Sequence, residues 1–382
     1  MNITVSANDL ARLLDNAKGL VERSLTMPVL QNVLLAAEAP DLTLRGTDLQ
    51  TAYTGRCTAM VARPGELCLP ARKLAEVAKA LPAENALLEA DGLDLRVEAG
   101  AVRYLIRGLD PADYPPEPEN GVIPVTLEGQ ALRGALCRVA YATANDGDQP
   151  WRSSVLFEVR ADGADLALRL VATDGHRLSI CDLDLGEPPA RDDLLALPAL
   201  LLPVKAAGAM VRLLRDGEAV LGLSPGLATL RVGQDTLHAR PYDCAFPGYE
   251  EILPKKPGHR AVAGREALIA AIKRVAVMET AKLRRLHLEL ADGVMALEAA
   301  DDALGQASES LEVAWDGPYL ELAINAGYLL DALGALTSEE VTLEMGGEKT
   351  PVVITAGDDE ADAGFRGLIM PMDLQKPKGP AA

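Results

Sequence analysis

Apolar positions along the chain switch between two periods in a repeating order. A short alternating run followed by apolar spacing of three and four predicts a strand leading into an amphipathic helix. This pair occurs three times: Ile3-Thr4-Val5 before residues 8–23, Ile123-Pro124-Val125 before 130–141, and Ala261-Val262-Ala263 before 264–275. The anchor leucines Leu10, Leu132 and Leu268 lie 122 and 136 residues apart. A second helix recurs at 71–81, 204–215 and 325–336, with Pro70 and Pro203 ahead of the first two, where a strand hands over to a helix N-terminus. Between the helices of each copy an apolar strand runs into an acidic turn: Thr47-Asp48, Thr173-Asp174 and Ala300-Asp301. The aspartates are spaced by 126 and 127 residues, close to one third of the chain. The remaining segments alternate with period two, as in residues 154–159 and 286–290, with turns such as Ala291-Asp292-Gly293. About eight strands per copy follow from this pattern.

Three tandem copies of one α+β domain are therefore expected, at 1–120, 121–255 and 256–382, with proline-rich links at 110–118 and 243–257. In each, two helices cover one face of antiparallel sheet. A chain of 382 residues is too long for a single core, which agrees.

Composition narrows the function. With 49% apolar and 24% charged residues, wholesale disorder is excluded. A net charge of −19 excludes nucleic acid wrapped over the whole surface. Aromatics at 3% argue against a base-stacking groove for single strands. No secretory leader or membrane span is expected, and Cys57, Cys68, Cys137, Cys181 and Cys244 form no Cys-x-x-Cys pair, so a reducing cytoplasm is expected. Charge is unevenly distributed: the six predicted helices sum to +8 and the rest of the chain to −27. Lys205 and Arg212 share a helix face opposite Ala207, Val211 and Leu214. Lys273 and Arg274 likewise lie away from Leu268, Ile272 and Val275. Cations gathered on helices of an acidic protein point to a local electropositive surface.

Catalytic motifs are weak. Thr173-Asp174-Gly175-His176-Arg177-Leu178-Ser179 collects Asp, His and Ser, but neighbouring positions cannot form a converging nucleophile–base–orienter line. His176, His238, His259 and His287 lack metal-ligand spacing, and no phosphate-binding or dinucleotide-binding glycine motif occurs. Asp358-Asp359-Glu360 near Asp362 is read as a solvated turn rather than a cation site. No cofactor, metal or catalytic residue is expected.

Seven segments together resemble the bacterial sliding clamp family, the beta subunit of DNA polymerase III. They are residues 26–32 (TMPVLQN), 45–49 (RGTDL), 69–73 (LPARK), 171–178 (VATDGHRL), 246–254 (FPGYEEILP), 325–328 (NAGY) and 370–374 (MPMDL). Their order and spacing span residues 1–374. The resemblance implies three copies of the clamp domain per chain and two chains closed head to tail into a ring. Helices line the hole and sheets form the outside. It implies a non-enzymatic processivity factor whose partners are duplex DNA, a second copy, the clamp loader, the replicative polymerase and repair polymerases. These proteins dock through a short leucine–phenylalanine motif.

Family positions then assign residues. Peptide binding falls to Thr173, Gly175, His176, Arg177, Leu178, Pro247, Ile252, Asn325, Tyr328, Leu368, Ile369, Met370, Pro371 and Met372. Candidates for facing DNA are Arg23, Arg72, Lys73, Arg133, Arg138, Lys205, Arg212, Lys273 and Arg274, of which Arg23 and Lys205 match family DNA contacts. Tyr104 and Ile106 are placed against Val277 and Met278 at the dimer contact. The sequence departs from the common pattern at Leu283, Glu251, Asp373 and Trp151-Arg152, and adds a polar tail at 375–382. Two other functions compete: an interaction scaffold of the same fold that never encircles DNA, and a hydrolase centred on His176 and Ser179.

Overall fold

The computed structural model describes residues 1–21, 27–82, 84–118, 121–144, 149–163, 165–188, 190–256, 258–278, 285–301, 304–357 and 362–374. Arg23, Leu283, the 358–360 acidic run and the tail at 375–382 lie outside the described residues. The helices are α1 (Ala7–Lys18), α2 (Ala71–Lys79), α3 (Gly129–Ala140), α4 (Arg191–Leu195), α5 (Val204–Leu213), α6 (Arg265–Val275) and α7 (Ala326–Gly334). Six of them are the predicted helices, shifted by a few residues at their ends.

The largest shift is in α1, which stops at Lys18 instead of reaching residue 23. Its buried stripe of Leu10, Leu13, Leu14 and Ala17 is complete by then, and Gly19 takes the C-cap with its N–H bonded to Ala17 O. At the other end the Ser6 hydroxyl accepts the Asp9 N–H at 3.3 Å. The pattern did not reveal α4, a single turn with Asp192 and Asp193 at its start, because five residues are too few for a helical period to register.

The chain packs into two compact units, residues 1–133 with 188–242 and residues 134–187 with 243–382. In the first unit a continuous antiparallel sheet runs through Val102–Arg107, Asp94–Ala99, Asn85–Asp91, Asn2–Ser6, Thr51–Arg63, Asp235–Ala239, Leu227–Val232, Glu218–Ser224 and Ile123–Glu128. In the second, Asp165–Thr173 pairs with Arg177–Gly186, then Phe365–Ile369, Val352–Ala356, Glu340–Met345 and His259–Gly264. A separate four-stranded sheet is ordered Gly305–Glu312, Val294–Asp301, Arg285–Ala291 and Leu320–Asn325. Helical Leu268, Ile272, Leu329 and Leu333 pack on strand residues Leu286, Leu288 and Leu297, all 0% exposed.

Two compact units arise from three sequence copies because backbone pairing runs across the copy boundaries. Asp235–Ala239 pairs with Thr51–Arg63, matching His238 to Ala52. Phe365–Ile369 pairs with Arg177–Gly186, matching Leu368 to Leu178. Each seam is also pinned by a buried carboxylate. Asp235, 2% exposed, accepts Arg12 Nη1 at 2.7 Å, Arg215 Nη2 at 3.2 Å and the Tyr53 hydroxyl at 2.8 Å. Asp362, 1% exposed, accepts Arg138 Nε at 2.9 Å and the N–H groups of Thr337 and Ser338 at 2.6 and 2.8 Å. Burial pushes the Asp362 carboxyl up, but those two backbone donors and Arg138 more than compensate, leaving it below the ordinary carboxylate range.

The first seam carries a pH-sensitive contact. Glu117 accepts from His238 Nε2 at 3.1 Å and from the Thr54 hydroxyl at 2.9 Å. The His238 bond, helped by Thr54 and opposed by burial, pulls Glu117 from 4.5 down to about 2. A lowered carboxyl stabilises the fold above its unfolded value and loses that contribution as pH falls toward its folded value. Melting curves should show Glu117→Gln less stable than wild type at neutral pH, with the gap closing as the pH falls from about 4.5 to about 2. A gap that stays constant across that range would refute the assignment.

Candidate functional site

The first two acidic turns are alike in hydrogen bonding. In the second, the Thr173 hydroxyl donates to Arg177 O at 2.5 Å and accepts Gly175 N–H at 3.1 Å. Asp174 Oδ1 accepts the N–H groups of His176 and Arg177 at 2.9 and 3.1 Å. Beside this turn lies a cavity of about 210 Å³ lined by Trp151, Thr173, Gly175, His176, Arg177, Leu178, Pro247, Ile252, Leu368 and Met370. Leu178 and Leu368, paired across neighbouring strands, are nearly buried, whereas Ile252 and Met370 are 44% and 41% exposed. Apart from His176, the side chains left uncovered here are apolar, so the cavity suits an apolar group more than a polar one.

Nine of the fourteen residues expected at a peptide site line this one cavity. The other five do not. Asn325 caps α7, its Oδ1 accepting Gly327 N–H at 2.8 Å. Ile369 is 1% exposed and belongs to the core. Met372 is bridged to Ala323, its N–H donating to Ala323 O at 2.7 Å, and Pro371 links it to Met370 without entering the lining. Tyr328 acts one layer out: Arg177 lies over its ring at 4.5 Å and over Tyr141 at 5.5 Å.

Arg177 is not a free surface cation. Its guanidinium donates to Asp174 Oδ2 at 3.0 Å and Asp331 Oδ2 at 2.5 Å, and its side chain is only 10% exposed. Burial pushes the Tyr141 hydroxyl up to about 12, so a neutral ring faces the cation. This cage fixes the turn that walls the cavity. His176 remains exposed.

The residue missing from the sequence-based set is Trp151. Its ring meets Phe246 edge-on at 6.4 Å, and Phe246 meets Tyr249 edge-on at 6.1 Å. Arg152 Nε holds the turn by donating to Asp174 O at 3.0 Å. The available signal was a proline-flanked tryptophan, one of only two in the chain.

A hydrolase at this place is ruled out by geometry. Ser179 is 0% exposed and its hydroxyl donates to Arg138 O at 2.6 Å.

The cations expected to face DNA separate into groups. Arg72, Arg133, Arg212 and Lys273 are exposed, with no carboxylate within ion-pair distance among the described residues. Lys73 pairs with Glu76, and Arg274 with Glu309 at 2.5 Å, both remaining largely exposed. Lys205 donates to Leu20 O at 2.8 Å and to Asp48. Arg138 departs from expectation: its side chain is 12% exposed and committed to Asp362, because a carboxylate at 0% side-chain exposure requires a counter-charge. It is not a free surface cation.

The expected dimer residues differ in exposure within the single chain. Ile106 is 6% exposed in the core of its own copy, facing inward from strand Val102–Arg107. Tyr104 is half-buried on the same strand face, while Leu105 on the opposite face is 61% exposed. Val277 is 75% exposed and Met278 half-buried, just after α6.

This fold, three copies with shared sheets and an apolar cavity beside the second turn, is that of bacterial DNA clamps. A solved Pseudomonas aeruginosa sliding clamp (DNA polymerase III subunit beta), bound to griselimycin, matches with a TM-score of 0.89 and 31% identity, over 98% of this chain and 100% of that one. The Caulobacter crescentus pol III beta structure matches with a TM-score of 0.88 and 26% identity over the same shares. In sequence, the beta sliding clamp of Pseudomonas putida is 33% identical and that of Escherichia coli K12 28%, each covering 98% of this chain and 100% of the relative. Residues 1–118, 126–248 and 250–373 match the N-terminal, central and C-terminal domains of the DNA polymerase III beta subunit. The chain belongs to the bacterial DNA polymerase III beta-subunit family, and its function is that of a processivity sliding clamp. None of these matches supports the scaffold alternative.

Proposed function

We propose that two copies of the chain close head to tail into a ring around duplex DNA, and that partner proteins dock by a short peptide in the cavity beside the second turn. The observation that carries this reading is a count of strand edges. Twice within the chain, the last strand of one copy pairs with the strand that follows the acidic turn of the preceding copy. One such acceptor strand, Gly305–Glu312, and one such donor strand, Val102–Arg107, stand at open sheet edges. An open edge is a liability until paired, and a head-to-tail contact that closes makes a ring. The domains are assigned to 1–120, 121–255 and 256–382, with helices facing the hole.

In this reading the ring has no catalytic activity of its own. Topology holds the DNA, so the protein needs only weak phosphate contacts. Arg72, Arg133, Arg212 and Lys273 supply these contacts, with Arg23, Lys73, Lys205 and Arg274 as further candidates. A diffuse positive lining permits sliding, whereas each tight phosphate contact steepens the salt dependence by about 0.9. The acidic remainder of the surface keeps DNA off the outside. The partners are the clamp loader, the replicative polymerase and repair polymerases, and the setting is the cytoplasm. No helix among the described residues is long and apolar enough to cross a membrane.

The test is loading onto nicked circular DNA followed by linearisation. Retention on circles with loss from linear DNA supports the ring, and equal loss from both rejects it. For the cavity, burial of a leucine and a phenylalanine contributes about 1.5–3 kcal/mol each, which leaves an affinity near micromolar after ordering costs. Met370→Ala removes part of the wall and should weaken a labelled leucine–phenylalanine peptide by about tenfold. Removing residues 375–382 should leave its affinity unchanged. Unaltered binding by Met370→Ala would count against the cavity as the docking site.

A further inference from the structure

The cavity beside the second turn is largely apolar, yet a cation at its edge has no carboxylate within ion-pair distance among the described residues. This is Arg152, which follows the lining residue Trp151 in the one-turn helix Pro150–Ser153. Its Nε and Nη2 both donate to Asp174 O, at 3.0 and 2.5 Å. A backbone carbonyl accepts these bonds without cancelling the charge. Nη1 makes no hydrogen bond among the described residues. The guanidinium lies over the Trp151 ring, 5.9 Å from its centre, and Nη2 is 3.9 Å from where a Cβ on Gly175 would stand. Trp151 and Gly175 both line the cavity, so the charge stands directly against its wall.

The neighbouring charges are placed differently. Asp174 Oδ2 accepts Arg177 Nε at 3.0 Å, while its Oδ1 holds the N–H groups of His176 and Arg177. Asp331 Oδ2 accepts Arg177 Nη1 at 2.5 Å. Arg177 therefore lines the cavity as a neutralised group, with two carboxylates on its guanidinium. The four charges sum to zero, so any preference of the site arises from position: both anions are on Arg177, and Arg152 has none. Glu250 is bonded to Arg160. Glu251, just ahead of Ile252, is exposed to solvent, where screening is strongest, whereas Arg152 is half-buried. Beside apolar walls that hold little water, the field of an unmatched cation reaches further than it does in bulk solvent.

We propose that Arg152 makes the cavity selective for peptides carrying an acidic residue next to their apolar anchor. This rests on the cavity being the docking site. The apolar walls hold the anchor, and the neighbouring carboxylate approaches the Arg152 guanidinium, whose Nη1 is the free donor. A lysine or arginine at the same peptide position is repelled. The bonds to Asp174 O and the contact with Trp151 hold the cation in place, so little ordering is needed when the peptide arrives.

The experiment titrates the full chain with pairs of labelled leucine–phenylalanine peptides that differ only in aspartate or asparagine, placed in turn at each position flanking the leucine. The readout is the ratio of the two affinities. At low salt the wild-type protein should favour aspartate by about fivefold at one of these positions. In about 1 M salt, where the screening length is about 3 Å, the ratio should fall toward one. Arg152→Gln removes the charge and keeps an amide donor for Asp174 O, so its ratio should be close to one at low salt as well. Any loosening of the turn lowers both affinities together and leaves the ratio unmoved, which separates the charge from a merely structural role. Arg152→Lys should retain the preference. A ratio of one at every position in the wild type, or a wild-type ratio that persists in Arg152→Gln, overturns the proposal. If Arg152→Gln fails to fold, a wild-type preference unchanged by salt overturns it instead. Failure of the wild-type protein to bind either peptide removes the docking reading itself.

Discussion

Asp362→Ala should cost about 3–5 kcal/mol of stability, measured by denaturant unfolding at neutral pH. The carboxylate is buried and accepts from Arg138, from the N–H groups of Thr337 and Ser338, and from the Thr337 hydroxyl at 3.2 Å. Deleting it leaves a nearly buried guanidinium without its counter-charge and two backbone donors without acceptors. Arg138→Met should be the milder change, because the backbone donors keep Asp362 hydrogen-bonded. Combining Arg138→Met with Asp362→Leu should recover only part of the loss: the charges vanish together, but the Thr337 and Ser338 donors stay orphaned. Strict additivity of the two single changes would show that the pair is not coupled. Asp235→Ala should behave alike in the other compact unit, since Asp235 gathers Arg12, Arg215 and Tyr53 at 2% exposure.

Tyr104→Asp together with Val277→Asp should convert the proposed ring dimer into a folded monomer. Each places an unpaired charge in both of the ring's proposed contacts at a cost of about 2 kcal/mol or more, so each contact is weakened by about 1000-fold and the ring, which has two, by more. Both positions retain exposed surface in the single chain, half-buried for Tyr104 and 75% exposed for Val277, so the fold tolerates polarity there. Ile106 is the wrong residue for this experiment: at 6% exposure, a charge would break its own core before reaching any interface. Sedimentation of the double variant as an unchanged dimer would reject the proposed contact. The same variant should fail to stay on nicked circular DNA, which ties assembly to retention.

Much of this architecture was legible in the order of apolar positions. The threefold strand–helix repeat, the six long helices and the acidic turns are local patterns, and local geometry follows from periodicity, caps and turn chemistry. Asp48 and Asp174 illustrate why: each satisfies backbone donors two and three residues ahead, a bond any chain with that spacing can form. The cavity was legible only through family resemblance, which named nine of the residues that line it together with Ile369, which is buried in the core, and Met372, whose backbone is bridged to Ala323.

What the tertiary structure alone decided is which side chains remain available. Arg133 and Arg138 read alike on one helix, yet Arg138 is spent on an aspartate 224 residues away. Ile106 and Tyr104 read alike on one strand, yet only Ile106 is absorbed by its own core. Trp151 enters the cavity wall because the second turn and residues 246–249 fold against it. Sequence by itself determined the repeat, the helices and the separation of charge, since each is a property of neighbouring residues. Pairing and burial depend on residues hundreds of positions apart, whose registers are set only when sheets close across the copy boundaries.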